Sequence, residues 1–387
     1  MQRVVVQRTR RLLAGHPWVF SNELAHSPRG LEPGGIVELV DERDHFLGMG
    51  TANPRSLIAV RVLSRELETI DASFFVRRIQ TALERRAHLA PDTRSGRVVF
   101  SEGDDLPGLI VDRYGDCVVV QLSTAGMDRL REPILEAIDQ VLAPRTVVLR
   151  NDSRSRLLEG LPQEKQLIRG SLDPLPIIEE LGVHFQVDPL DGQKTGFFFD
   201  QRENRILFSL LARGQRALDL FCYSGGWSLH LAAAGFQVTA IDESARAIAA
   251  LHANAALNGW TDLVESIQDD VFSRMPRLVA SGARFDAVVV DPPAFVKSKQ
   301  KLKEATRAYR TINAQALRLV EPGGLCASSS CSYHMTAELF VDTLRAAAQD
   351  ARRRVRLVEL RGQATDHPVL LHVPETAYLK CALLEVW

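Results

Sequence analysis

Two short motifs carry the groups best able to do chemistry, Asp291-Pro292-Pro293-Ala294-Phe295 and Ser330-Cys331-Ser332. Each closes an apolar run, 285–290 before the first and 325–329 before the second, of a length that suits a buried strand. A carboxylate and a thiol at neighbouring strand ends of an open α/β sheet would face the same crevice. The two prolines predict a rigid, extended exit that leaves the Asp291 carboxylate in that crevice. There it can accept from the exocyclic amine of a flipped base, with Phe295 placed to stack on the ring. The thiol supplies what a ring carbon needs. C5 of cytosine is a poor nucleophile until a thiolate bonds to C6 and pushes electron density onto C5. Cys331 is therefore the candidate nucleophile and Asp291 its catalytic neighbour.

The other four cysteines read differently. Cys117, Cys326 and Cys381 lie inside apolar runs, where a cysteine is a small hydrophobe. Cys222 sits in a glycine turn suited to ligand contact rather than attack. Cysteines that are scattered, odd in number and without a CxxC pair suggest neither a disulfide framework nor a zinc site. No metal is expected, and free thiols suit a reducing cytoplasm.

A ligand site precedes these motifs. In 219–226, Asp219-Leu220-Phe221-Cys222-Tyr223-Ser224-Gly225-Gly226, a strand ends in a Gly turn and a helix starts at once. Such a turn lets backbone N–H groups meet a carboxylate or phosphate. The next strand ends in Asp242, placed to accept from a ribose hydroxyl pair, with Ser244 opening the following helix. A third strand runs into Asp269-Asp270, and Asp270 can meet an adenine amine. An amino-acid end, a ribose and an adenine in order fit S-adenosyl-L-methionine (AdoMet). The spacing is not GxGxxG, which counts against a dinucleotide enzyme.

Basic residues flank the same region. Lys297, Lys299, Lys301 and Lys303, with Arg307 and Arg310 beyond, follow the Asp-Pro-Pro turn and suit phosphate contact, though each alone suits a solvated helix face. Lys194 to Arg202 mixes Phe197, Phe198 and Phe199 with cations, fit either for RNA or cofactor contact or for core packing. The formal net charge of −1 makes the whole chain no polycation, so any nucleic-acid surface must be local.

The elements that must position these groups follow from periodicity. Residues 1–70 are short β-runs broken by turns at Gly34-Gly35, 41–44 and Asn53-Pro54, a small β-barrel-like module. A helix over 73–89 leads into an α+β unit with a hairpin around Tyr114-Gly115-Asp116, a helix over 133–142 and a strand over 146–150. Residues 151–175 read as edge structure and connector. Strands over 217–221, 238–241 and 264–268 then alternate with helices over 226–234 and 244–257, and 285–290 and 325–329 complete a parallel, doubly wound core. The expected domains are 1–70, 71–180 and 181–387. Neither a signal-peptide h-region nor a bilayer-length apolar stretch is present, so no membrane partner is expected.

With these motifs together, the chain resembles the class I RNA cytosine-C5 methyltransferases that modify large-subunit (23S) ribosomal RNA and carry an N-terminal PUA domain. The resemblance spans the length. It rests on His16-Pro17-Trp18-Val19-Phe20, residues 102–109 (Glu-Gly-Asp-Asp-Leu-Pro-Gly-Leu), Lys194-Thr195-Gly196, Asp200-Gln201-Arg202, the 221–226 turn, Asp291-Pro292-Pro293, Ser330-Cys331-Ser332 and Asp366-His367-Pro368. It implies a Rossmann-like AdoMet domain behind a PUA-like barrel and a small middle domain. It further implies Cys331 as nucleophile and cofactor contacts from Gln201, Phe221, Tyr223, Ser224, Gly225, Gly226, Asp242, Ser244, Asp270 and Asp291. RNA contacts would fall to Lys194, Phe295, Lys297, Lys299 and Arg307, and the assembly would be a cytoplasmic homodimer. Many relatives carry a second cysteine directly after the Pro-Pro turn. Here Ala294 stands there, as in the single-cysteine subgroup, which leaves the base for the C5 proton unassigned. The rival is an N-methyltransferase with a similar Asp/Asn-Pro-Pro-aromatic turn. Its amine acceptor needs no thiol, and Ala294 breaks the usual contiguity with the aromatic residue. An RNA-binding or assembly protein would need neither Asp291 nor Cys331.

Overall fold

The computed structural model describes residues 1–89, 94–295 and 299–387. They form two compact units: Met1–Ile178 with Val187–Phe199 and Thr365–Thr376, and Glu179–Gln186 with Asp200–Ala364 and Ala377–Trp387.

The first unit holds two five-stranded sheets. In one, Gln2–Val5 pairs parallel to Ile36–Val40, followed by Phe46–Ala52, Ile58–Ser64 and Trp18–Phe20 in antiparallel order. Val4, Val19, Val37, Leu39 and Val60 fill its core, the residues whose alternation marks the run as strands. In the other, Cys117–Leu122 pairs with Leu109–Tyr114 across a two-residue loop at Gly115-Asp116, and parallel with Thr146–Asn151. Helices Ala72–Leu89 and Arg131–Leu142 bury Phe74, Phe75, Ile79, Ile134 and Ile138. Within 151–175, Glu164–Arg169 is an edge strand whose side chains face mostly outward.

The second unit carries the candidate site. Its strands are β1 (Arg216–Leu220), β2 (Gln237–Asp242), β3 (Val264–Gln268), β4 (Phe285–Val290), β5 (Val320–Ser330), β6 (Val355–Arg361) and β7 (Lys380–Val386). Its helices are α1 (Arg202–Leu211), α2 (Gly226–Ala233), α3 (Ala245–Leu257), α4 (Val271–Ala280), α5 (Leu302–Leu319) and α6 (Ala337–Ala351). The sheet runs β3-β2-β1-β4-β5-β7-β6. Strands β1 to β5 are parallel, and β4 between them is the near-continuous apolar run expected of a strand buried on both faces. The expected parallel core is thus present, and two further strands extend it at one edge, where β7 lies antiparallel to β5 and β6 antiparallel to β7. Leu218, Leu220, Val288 and Val290 join Met275, Tyr309, Leu317 and Phe340 in one core. Period-two alternation turns Asp219 to the opposite face, where Ser228 of α2 meets it.

Among the described residues no helix is long and apolar enough to cross a membrane. Among them no cluster of three or more His, Cys, Asp or Glu could hold a metal ion.

Candidate active site

The site is built where β1, β2, β4 and β5 end. Val290 pairs with Leu220 on one side and with Ser328 on the other, which sets Asp291 level with Ser329. Gln201 spans the two ends. Its Nε2 donates to Asp291 Oδ1 at 3.1 Å and to Ser329 Oγ at 3.0 Å, while its Oε1 accepts from Asn204 at 2.7 Å. Trp227, buried on α2, donates Nε1 to Asp291 Oδ2 at 3.0 Å. Both Asp291 oxygens thus have fixed donors, which orient the carboxylate. Gln201, expected at the cofactor, has its amide spent on holding Asp291 and β5 in register.

The five thiols separate by burial. Cys331 is half-buried just past the end of β5, and the other four are buried. Burial pushes the Cys117, Cys326 and Cys381 thiols up to about 12 and holds Cys222 well above its ordinary value. Thiols in that state are inert, since the thiolate is the nucleophile. Cys331 is followed by Ser332, whose Oγ lies 3.4 Å from the Tyr309 hydroxyl.

The glycine turn is held in an unusual shape. Phe221, Tyr223 and Gly225 have φ of 64°, 47° and 91°. Left-handed backbone at two bulky residues costs energy and clusters where ligands bind. Gly225 is required twice, because a Cβ there would also meet Leu251 Cδ1 at 2.3 Å. A Cβ on Gly226 would meet nothing closer than Arg205 at 3.6 Å, so its role is not steric. Asp242 staples the turn: its Oδ2 accepts from Tyr223 N at 3.0 Å and its Oδ1 from Ser244 N at 2.9 Å. Ser244 caps α3 by accepting from Ala247 N. Asp270 is exposed and caps α4, accepting from Ser273 Oγ at 2.7 Å and Ser273 N at 2.9 Å. Those bonds, the side-chain one first, lower its pKa below the usual carboxylate value.

Beneath the turn lies an acid to which the sequence motifs give no role. Asp219 is fully buried and its Oδ2 accepts from Ser228 Oγ at 2.6 Å. Among the described residues its Oδ1 has no hydrogen-bond partner, and neither does the buried Ser224 Oγ. Burial pushes the Asp219 carboxyl up to about 7, and the charges of Asp291 and Asp242 add to that. The Asp219 carboxyl lies in the field of two other acids with one of its own oxygens unpaired among the described residues, a setting that suits a cationic ligand carrying donors.

The other expected contacts scatter. Phe295 is half-buried in an aromatic row, with ring centroids 5.6 Å from Phe272 and 4.7 Å from Tyr309. Lys194 belongs to the first unit, its Nζ 4.5 Å above the Phe198 ring. Phe197 and Phe199 are buried there, so core packing accounts for both. Lys297 lies outside the described residues, and Lys299 falls in a short 3₁₀ turn. Arg307 is exposed on α5, whereas Arg310 pairs with Asp350 at 2.6 Å. Trp227 and Lys380 went unnoticed in the sequence. A Trp directly after Gly-Gly at a helix start, and a lysine opening an apolar strand, were the available signals.

Comparison with known proteins completes the description. A family profile described as a PUA-like domain matches residues 4–65, and one described as S-adenosylmethionine-dependent methyltransferase matches residues 149–381. The chain is 39% identical over 388 positions to ribosomal RNA large subunit methyltransferase I of Shewanella denitrificans, covering 98% of each. To the protein of the same name from Klebsiella pneumoniae it is 38% identical, covering 96% of this chain and 95% of that one. Two solved structures share the fold over their full lengths at 22% identity. One methyltransferase-fold chain, complexed with S-adenosylhomocysteine, has a TM-score of 0.86, and one from Streptococcus mutans has 0.84.

Proposed function

The chain belongs to the S-adenosylmethionine-dependent methyltransferase family, with a PUA-like domain in the same chain, and on that premise we propose that it forms 5-methylcytosine in large-subunit ribosomal RNA through a covalent Cys331–C6 adduct. The observation that carries this reading is Cys331 itself, the half-buried thiol of the five, at the strand end beside Asp291. An amine acceptor would leave that thiol without a use. The same proposal places the enzyme in the cytoplasm as a homodimer, with the PUA-like module helping to hold RNA.

The residues present fit the cofactor. AdoMet supplies an electrophilic methyl group on a sulfonium and carries an ammonium. Asp219 Oδ1 and Ser224 Oγ, both buried without a partner, would meet its amino-acid end. Asp242 would take the ribose hydroxyls and Asp270 the adenine amine, with the Gly225-Gly226 backbone open to close approach.

The chain's own groups then act on the base. Asp291, oriented by Gln201 and Trp227, would accept from the cytosine amine and hold the ring. Cys331 Sγ bonds to C6, the C5–C6 π pair becomes nucleophilic at C5, and C5 takes the methyl group. Loss of the C5 proton re-forms the double bond and expels the thiolate. RNA carrying 5-fluorocytosine blocks that last step, because fluorine cannot leave as a cation. Mixed with AdoMet and the wild-type enzyme, it is expected to yield a protein–RNA band that survives denaturation. An active enzyme that forms no such band would refute the covalent route.

Asp270 separates two roles. Asp270→Ala is expected to cost about 1 kcal/mol of stability through loss of the α4 cap. Asp270→Ser keeps a cap but withdraws the carboxylate, and is expected to weaken AdoMet binding by about 1–3 kcal/mol in calorimetry. Equal affinity in Asp270→Ser and wild type would remove Asp270 from the adenine site.

A further inference from the structure

Lys380 opens β7 directly opposite Ser330 in the β5–β7 ladder, one residue before Cys331. It is 8% exposed. Its Nζ donates to the Ser332 carbonyl at 2.7 Å and to the Tyr378 carbonyl at 2.8 Å. Two carbonyls satisfy two of the three N–H groups of an ammonium and none of its charge. Among the described residues no carboxylate pairs with it. A buried cation without an anion is costly, so its natural partner is a group that becomes anionic nearby.

The groups around Cys331 leave one candidate. Tyr309 on α5 faces the Ser330–Ser332 turn, but burial raises its phenol above the ordinary value. Asp291 at the end of β4 hydrogen-bonds Gln201 and Trp227, and the charge that acts on Lys380 is that of Cys331 rather than Asp291. Cys381, next to Lys380 on β7, is buried with its thiol up to about 12. In the loop after Cys331, Tyr333 and His334 stack edge-on at 5.4 Å. Burial draws the Lys380 ammonium down to about 8, while the charge of Cys331 pulls it back up. At neutral pH the amine therefore stays mostly protonated, with the Cys331 sulfur inside its field.

We propose that the Lys380 ammonium is the counter-ion that holds Cys331 as a thiolate, a positioning residue for the nucleophile rather than a structural cation. The inference rests on the reading of Cys331 as the nucleophile. The thiol proton leaves to solvent and Lys380 keeps its own. When Sγ bonds to C6 the sulfur charge passes into the ring, and it returns to sulfur when that bond breaks. The ammonium thus stabilises the resting and released enzyme by the same electrostatic attraction. The two carbonyl bonds keep Nζ fixed beside Ser332 throughout.

The test needs neither RNA nor methyl transfer. Full-length protein is labelled with iodoacetamide across pH, and the Cys331 peptide is quantified by mass spectrometry. In wild type the labelling midpoint is expected below the ordinary thiol value of about 8.5. In Lys380→Met it is expected to rise by about one pH unit, with labelling at pH 7 slower by about tenfold. Lys380→Arg keeps the charge and is expected to restore the low midpoint. A midpoint unchanged in Lys380→Met, or raised equally in both variants, overturns the proposal. Should Lys380→Met lose its thermal transition, the wild-type midpoint decides, and a value at or above about 8.5 overturns it as well. Retained methylation in Cys331→Ala would defeat the functional reading alone and leave the labelling result intact.

Discussion

Cys331→Ala is expected to reduce methyl transfer by at least about 10⁴-fold, the scale seen when a covalent nucleophile is removed, while AdoMet binds with wild-type affinity. The separation has a structural basis. The groups assigned to the cofactor lie on β1, β2, β3 and the glycine turn, whereas Cys331 lies past β5, with Asp291 and Gln201 between. Truncating a half-buried thiol removes a single sulfur atom, so folding should be little changed. Cys331→Ser distinguishes nucleophilicity from shape: it preserves the contour but replaces a thiolate with a hydroxyl too basic to ionise near neutral pH, and is expected to be as inactive as the alanine variant. Single-turnover transfer of labelled methyl groups to RNA, with calorimetry on the same samples, measures both quantities. Full activity in either variant would return the amine-acceptor reading to first place.

Asp219→Asn is expected to stabilise the ligand-free protein above neutral pH and to weaken AdoMet binding. In the unfolded chain this carboxyl ionises near 3.8, whereas burial keeps it protonated to about 7 in the fold. Between those values the folded state binds more protons, so wild-type stability is full below 3.8 and falls as pH rises to about 7. The loss is on the order of 4 kcal/mol at the plateau. The asparagine variant lacks this slope. Its gain in melting temperature over wild type should be near zero at pH 4, grow through pH 5 and 6, and level off above 7. A cation bound against Asp219 reverses the penalty, so AdoMet binding to wild type near neutrality should release a proton and should be weaker in the variant. Titration in buffers of different ionisation enthalpy reads that proton. Parallel melting curves for the two proteins across pH would show that Asp219 is not held neutral.

How much of this was legible beforehand can be judged residue by residue. The strand over 285–290 stands where its apolar run places it, and so does the Gly115-Asp116 hairpin loop, because both signals are local: a run of Val and a turn residue pair need no partner to be recognised. The glycine turn was readable for the same reason, although the positive φ of Phe221 and Tyr223 was not, since nothing in those residue types asks for it. The sequence does not orient the edge strands at 355–361 and 380–386, because an apolar run carries no direction. Asp270 was read as a ligand contact, and its observed bonds are those of a helix cap. Phe295 was read as a stacking ring, and Phe272 and Tyr309 lie against it.

By itself the sequence determined which chemical groups exist and in what order they reach the sheet's carboxyl edge: an acid and glycines first, Asp242 and Asp270 next, then Asp291, then one thiol. Those assignments depend on residue type and on periodicity within a dozen positions. Tertiary structure decided what surrounds each group. Gln201 meets Asp291 and Ser329 across 90 and 128 residues, and Lys380 meets Ser332 across 48. Asp219 faces two other acids because a period-two strand turns it away from the apolar face. Such juxtapositions follow from strand order and register, which are cooperative properties of the whole sheet. The residues named a candidate nucleophile; the register of β5 with β7 placed Lys380 opposite Ser330, one residue before it.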